Sequence, residues 1–137
     1  MKKTTFYLFF ILLLCFFAGC TSPDSMQLSV YNDAEKELKL LHLNASSSEK
    51  KQKIEAVYRI ISDAEPIEKD LSLFAFYPDF AIDILMPENK GETVSVVLDL
   101  NDEYIDFYYP GPYPAADANI YRSSFHPDEL KKIIHDY

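Results

Sequence analysis

Residues 94–109 read VSVVLDLNDEYIDFYY, and their alternation decides the fold. Val94, Val96, Leu98 and Leu100 recur at every second position, which lines one face of a pleated strand. Asn101-Asp102-Glu103 supplies turn chemistry, because an Asx side chain folds back onto its own backbone. In Tyr104–Tyr109 the alternation resumes, with Ile105 and Phe107 opposing Tyr104, Asp106 and Tyr108. Two period-two runs joined by so short a link predict an antiparallel hairpin.

Working outward, Phe80, Ile82 and Ile84 alternate with Ala81, Asp83 and Leu85 and predict a preceding strand, separated by a turn over Pro87–Glu92. Leu71–Phe76 reads as another strand, ended by Tyr77-Pro78-Asp79. Near the start, Met26, Leu28 and Val30 alternate with Gln27, Ser29 and Tyr31. Asn32-Asp33 then turns the chain into the apolar run Leu38–Leu43. After 110–114, where three of five residues are proline and cannot donate to a ladder, a short strand is expected around Asn119–Ser123.

Two segments change period. Ser46 and Glu49 have capping-box spacing, and Ile54, Val57, Tyr58 and Ile61 follow at i, i+3, i+4 and i+7. Pro66 forces the chain out of the helix by residue 65, so a helix is predicted over 47–64. Pro127 with Asp128 and Glu129 opens a second, over 127–136, with Leu130, Ile133, Ile134 and Tyr137 as its stripe and Phe125 as a staple to Leu130. The expected architecture is α+β: an antiparallel sheet of about five to seven strands with both helices packed on one face.

The first residues carry an address. Lys2 and Lys3 precede twelve unbroken apolar or aromatic residues, Phe6–Phe17. Twelve is too few for a hydrocarbon core that needs about 20 helical residues. Charge, apolar run and small residues in that order form the layout of a secretory signal peptide. Phe17-Ala18-Gly19-Cys20 resembles the bacterial lipobox, with Phe17 in place of the usual leucine. The resemblance implies that the signal peptidase recognises Phe17, Ala18 and Gly19, that residues 1–19 are removed, and that Cys20 carries the lipid. The domain plan is then a signal peptide over 1–19, a lipidated cysteine and tether over 20–25, and a single α+β domain over 26–137.

This address bounds the chemistry. Removal of residues 1–19 leaves 118 of the 137 residues, enough for one domain with its own core. Cys15 leaves and the Cys20 sulfur becomes a thioether, so no disulfide, thiolate metal site or cysteine nucleophile remains. The lost segment takes Lys2 and Lys3 and no acid, so the net charge moves from −9 to −11. That sign opposes nucleic-acid binding, and it repels anionic lipid heads, which leaves the lipid on Cys20 as the membrane partner.

With the elements placed, the chain resembles a group of small lipoproteins of Bacillus and its relatives, the YhfM-like group, over about residues 54–137. The likeness lies in Lys53-Ile54 with Ile60-Ile61, Phe80-Ala81-Ile82-Asp83-Ile84, Tyr104-Ile105-Asp106-Phe107, Tyr121 and Leu130-Lys131-Lys132-Ile133-Ile134. It implies a small extracytoplasmic domain in a Gram-positive organism and brings no catalytic motif with it.

A search for chemistry finds little. His42 reads as a strand-rim residue, His126 as a helix cap and His135 as a cation favoured by a helix C-terminus. No HExxH, GxSxG or SxxK motif occurs, and three glycines give little backbone to cradle a phosphate. Asp99, Asn101, Asp102, Glu103 and Asp106 place oxygens as a calcium loop does. Tyr104 stands where the loop needs glycine and Pro110 where it needs a bidentate glutamate, so a solvated turn is the plainer reading and no metal or cofactor is assigned. Tyr108, Tyr109, Tyr113 and Tyr121, interspersed with Pro110, Pro112 and Pro114, either form a recognition surface or cover the open face of the sheet. The expected role is a non-enzymatic binding module for an envelope component or a protein. The alternative is an accessory or inhibitory factor for an envelope hydrolase, a conjugation machine or a transport machine.

Overall fold

The computed structural model describes residues 26–70, 79–111 and 119–135. In chain order these form β1 (Gln27–Tyr31), β2 (Lys39–Asn44), α1 (Ser48–Ser62), β3 (Ala64–Ile67) and β4 (Phe80–Leu85). A 3₁₀ turn (Pro87–Asn89), β5 (Thr93–Leu100), β6 (Ile105–Tyr108), β7 (Ile120–Ser123) and α2 (Pro127–His135) follow. The seven strands make one antiparallel sheet in the order β2-β1-β4-β5-β6-β7-β3. The α+β expectation therefore holds.

The registers turn the sequence alternation into transverse rows. Leu43, Leu28, Ile84 and Val94 stand side by side across four strands, as do Leu41, Val30, Ile82 and Val96 in the next row. Phe80, Leu98, Phe107 and Tyr121 form the third. All three rows belong to one apolar cluster with Ile54, Val57, Ile60 and Ile61 of α1 and Leu130 and Ile134 of α2, so both helices cover the same face. Cross-strand pairs of aliphatic and aromatic side chains at ladder spacing are the unit of sheet stabilisation. The helices lie on them because each has only one apolar stripe to bury.

The helix boundaries depart from the spacing argument in informative ways. The cap of α1 is Ser47 rather than Ser46: Ser47 Oγ accepts the Lys50 N–H at 3.3 Å, while the Ser46 N–H is used by Asn44 O at 2.8 Å. Three consecutive serines offer the same side chain, and the tight link from β2 selects among them. At the other end α1 stops at Ser62. The Asp63 N–H caps Arg59 O at 2.9 Å, Ser123 Oγ donates to Ile60 O at 2.6 Å, and the Ser124 N–H reaches Asp63 O at 3.2 Å. Carbonyls that a helix end leaves unpaired are thus satisfied by β7 and the residue after it.

Pro66 is not only a helix stop. It lies inside β3, opposite Tyr121, an element absent from the sequence expectation. β3 is the terminal strand, where a residue without an N–H is tolerated. The strand expected at Leu71–Phe76 lies outside the described residues, as does most of the proline-rich 110–114 stretch. Between β4 and β5 the chain turns through Lys90 and Gly91, at φ of 54° and 83°, and the glycine takes the more extreme left-handed position at no steric cost.

Phe107 is fully buried at the centre of the third row. Phe107→Ala is expected to cost about 4 kcal/mol through lost transfer energy and the cavity left behind. Urea unfolding of the variant beside the parent checks it, and a loss under about 1 kcal/mol would contradict this placement of the core.

Candidate functional site

The face away from the helices is the polar one, and its residues are those the core rows leave pointing the other way. At its centre Ala81, Val97, Tyr108 and Ile120 form a small buried cluster, joined by Tyr31, Ala34 and Ile67. Two polar centres flank it.

The first is a row across β2, β1, β4 and β5: His42, Ser29, Asp83 and Ser95. Ser29 Oγ lies 2.9 Å from His42 Nδ1. Ser95 Oγ donates to Asp83 Oδ1 at 2.5 Å, and Lys36 Nζ donates to the same oxygen at 2.5 Å and to Ser95 Oγ at 3.3 Å. Lys36 reaches back from the β1–β2 loop, where it sits at φ 60°, a left-handed conformation that costs a non-glycine residue energy. In an activated serine, a base contacts the hydroxyl and the carboxylate orients that base. Here Asp83 stands on the far side of Ser29 from His42 and is occupied by Lys36 and Ser95. The geometry is a cross-strand hydrogen-bond ladder.

The second centre surrounds Asp106, whose side chain has 0% exposure. Arg122, directly opposite on β7, donates through Nε at 2.7 Å and NH2 at 2.9 Å, a bidentate fork. Lys69 Nζ donates to Asp106 at 2.8 Å and to Asp99, the β5 neighbour of Asp106, at 3.0 Å. The Tyr104 ring lies 4.1 Å from the Arg122 guanidinium carbon and 4.7 Å from Lys69 Nζ, within cation–π range. Burial by itself would push the Asp106 carboxyl up; the hydrogen bonds from Arg122 and Lys69 outweigh it and hold the carboxyl below its ordinary range.

These partners also place the acidic run read as a solvated turn. Asn101 Oδ1 accepts the Glu103 and Tyr104 N–H groups at 2.7 and 2.9 Å, and Asp102 takes Lys131 at 2.6 Å. Asp79 accepts the Leu100 N–H at 2.7 Å. Burial pushes its carboxyl up, and neighbouring Asp99 adds to that against the Leu100 hydrogen bond. Among the described residues no group of three or more His, Cys, Asp or Glu side chains is arranged to hold a metal.

The candidate tyrosines divide between the faces. Tyr108 is 7% exposed and belongs to the open-face cluster, so it is a packing residue rather than a contact surface. Tyr121 is half-buried and stacks on Phe107 at 5.8 Å on the helix side. Tyr109 is 43% exposed and meets the rings of Phe107 and Tyr121 edge-on, at 5.8 and 5.4 Å. Tyr113, Phe17, Ala18, Gly19 and Cys20 lie outside the described residues. Sequence reasoning missed Leu38 and Leu40, which are 56% and 45% exposed on and beside the edge strand β2. Their signal was a break in alternation: Leu40 and Leu41 are adjacent, and the β1–β2 register shifts there. His126 caps α2, its Nδ1 accepting the Asp128 N–H at 3.3 Å. Between the helices a cavity of about 300 Å³ has Ile60, Phe125 and Ile133 in its wall with Arg59, Glu129 and Lys132.

No protein-family model, curated protein or solved structure matches this chain.

The Asp106 centre predicts a pH dependence. A carboxyl held below its unfolded value contributes stability that is fully present above about pH 4 and is lost as pH falls through the folded value. Asp106→Asn is therefore expected to lower stability by about 2 kcal/mol at neutral pH, since it weakens the charge-assisted hydrogen bonds from the partly exposed Arg122 and Lys69. The gap to the parent should narrow only below about pH 4. Urea midpoints across pH 2–8 read this, and a gap independent of pH would refute it. Tyr108→Ala should cost about 3 kcal/mol and Tyr109→Ala about 1 kcal/mol or less, as thermal melts of the two variants will show.

Proposed function

We propose that the chain is exported through residues 1–19, lipidated on Cys20 and held at the outer face of the cytoplasmic membrane, where its α+β domain acts as a non-enzymatic binding module. The observation that carries the reading is Phe17-Ala18-Gly19-Cys20 at the foot of the apolar run. One acyl chain holds a protein only marginally, whereas the two or three of a bacterial lipoprotein make a stable anchor. No helix among the described residues is long and apolar enough to cross a membrane.

The binding role rests on what the described residues leave uncovered. Leu38 and Leu40 accompany β2, which among the described residues is a terminal strand of the sheet. A bare apolar edge is a hazard that proteins ordinarily blunt, and Pro66 does so at the opposite edge. An edge kept apolar suits the addition of a partner's extended segment.

Cells expressing the protein with an alkyne-tagged fatty acid should show label on the parent and none on Cys20→Ala, with the variant stalled as precursor or released. Mature-sized Cys20→Ala that stays in the membrane would refute the anchor.

A further inference from the structure

The sheet has two ends of different charge, and the topology fixes which one adjoins the N-terminal tether. The Met26 carbonyl accepts the Ala45 N–H at 3.1 Å, so the chain enters the domain beside the β2–α1 junction. Antiparallel register then sorts the loops. The β4–β5 loop lies at this same end, since Leu85 and Thr93 pair with each other and Leu85 pairs with Gln27. Tyr109 stands back from it at mid-sheet, since the last residue of β6, Tyr108, pairs with Val97, four residues in from Thr93. The β1–β2 loop and the β5–β6 turn lie at the other end.

At the tether end Lys50 and Lys51 open α1, neither with an ion-pair partner among the described residues, and Lys90 stands exposed in the β4–β5 loop. Lys53 and Glu49 neutralise each other at 3.1 Å. Glu88 and Glu92 oppose two of these three lysines, while Glu68 follows β3 at mid-sheet, so this end is close to neutral. The far end is acidic. Asp33, Glu35 and Glu37 crowd the β1–β2 loop around Lys36, with Lys39 just after it. Asp102 and Glu103 sit in the β5–β6 turn with Asp79 and Asp99 beneath, met by Lys131 and Lys69.

We infer that the domain docks on the bilayer by its tether end, with Lys50, Lys51 and Lys90 against anionic phosphate headgroups. The inference rests on the lipid-anchored reading. Thr21–Ser25 reaches at most about 17 Å, so the domain is confined within contact distance of the lipid. Such confinement gives a weak attraction a high effective concentration. An anionic surface attracts basic groups within a Debye length and repels the acidic end, which sets orientation. Leu38 and the β1–β2 loop then face away from the membrane.

Amine-reactive footprinting of the lipidated protein on vesicles tests this, comparing phosphatidylcholine alone with phosphatidylcholine containing phosphatidylglycerol. Lys50 and Lys51 should be modified about fivefold more slowly on the anionic vesicles, the factor that about 1 kcal/mol per lysine represents. Lys39 should be unchanged, and the protection should fade in high salt. Lys50→Glu with Lys51→Glu should abolish protection at Lys90. Equal modification at Lys39 and Lys51, or the same pattern on both vesicles, would overturn the proposal. Mass analysis of Cys20 tests the anchor separately. If Cys20 carries no acyl group, coupling it to a maleimide lipid supplies the anchor, and the footprint still decides.

Discussion

Asp106 is a carboxylate with no solvent exposure in a strand whose four residues are all buried. That burden organises the open face. A charge cannot stay in such a position unpaired, so β7 must present Arg122 opposite it and the chain after β3 must bring Lys69 across. Arg122 fixes the β6–β7 register as firmly as the Phe107–Tyr121 pair does on the other side of the same strands. Lys69 joins Asp106 to Asp99 and so ties β5 to the chain beyond β3. A hydrophobic residue at 106 would meet the same packing demand without these directional bonds, and an ion pair of this kind contributes more to specifying the pairing than to net stability.

The helix face works by the opposite means. Its three apolar rows need no directional partner, and the bonds that orient the helices sit at their ends. Ser123 ties the last turn of α1 to the strand that carries Arg122, so β7 connects the two faces: its Tyr121 and Ser123 serve the helices, its Arg122 the charge centre. A short strand of four residues is stable in that position because each of its neighbours uses a different one of its side chains.

Much of this was legible in the sequence. Period two in 80–85 and 94–109, the 3.6-residue stripe from Ile54 to Ile61 and the Pro127 helix start place most described elements within two residues. What escaped were features that depend on pairs distant in sequence. No spacing links residues 69, 106 and 122, so Asp106 reads as a solvent-facing alternate rather than a buried ion. Local chemistry cannot choose Ser47 over Ser46, and Pro66 reads as a helix stop although a sheet edge accepts it. The tyrosine stretch left two readings open because composition is blind to face: adjacent Tyr108 and Tyr109 point to opposite sides of the sheet, and only Tyr109 is exposed. Leu38 and Leu40 add a candidate surface at an edge strand, whose sign was a doubled leucine.

The proposed anchoring by one end would constrain where a binding surface can be. A domain tied within about 17 Å of a lipid would lose whatever face it turned to the bilayer. The strands run from the tether end to the acidic end, so an edge strand spans that distance and is available along its length. β2 is such a strand, and the bulge at Leu40 falls in its half away from Met26. Under that proposal the acidic loops beside it would be repelled by the anionic surface below. A partner that pairs with β2 would therefore need an apolar residue against Leu38 and Leu40 and a basic one against Glu35 or Glu37. Exposed aliphatics beside like-signed acids also keep two copies of the domain from pairing edge to edge, because charge repulsion opposes the contact that the leucines favour. The same arrangement that would leave the edge open to a basic, extended segment would thus disfavour its self-association.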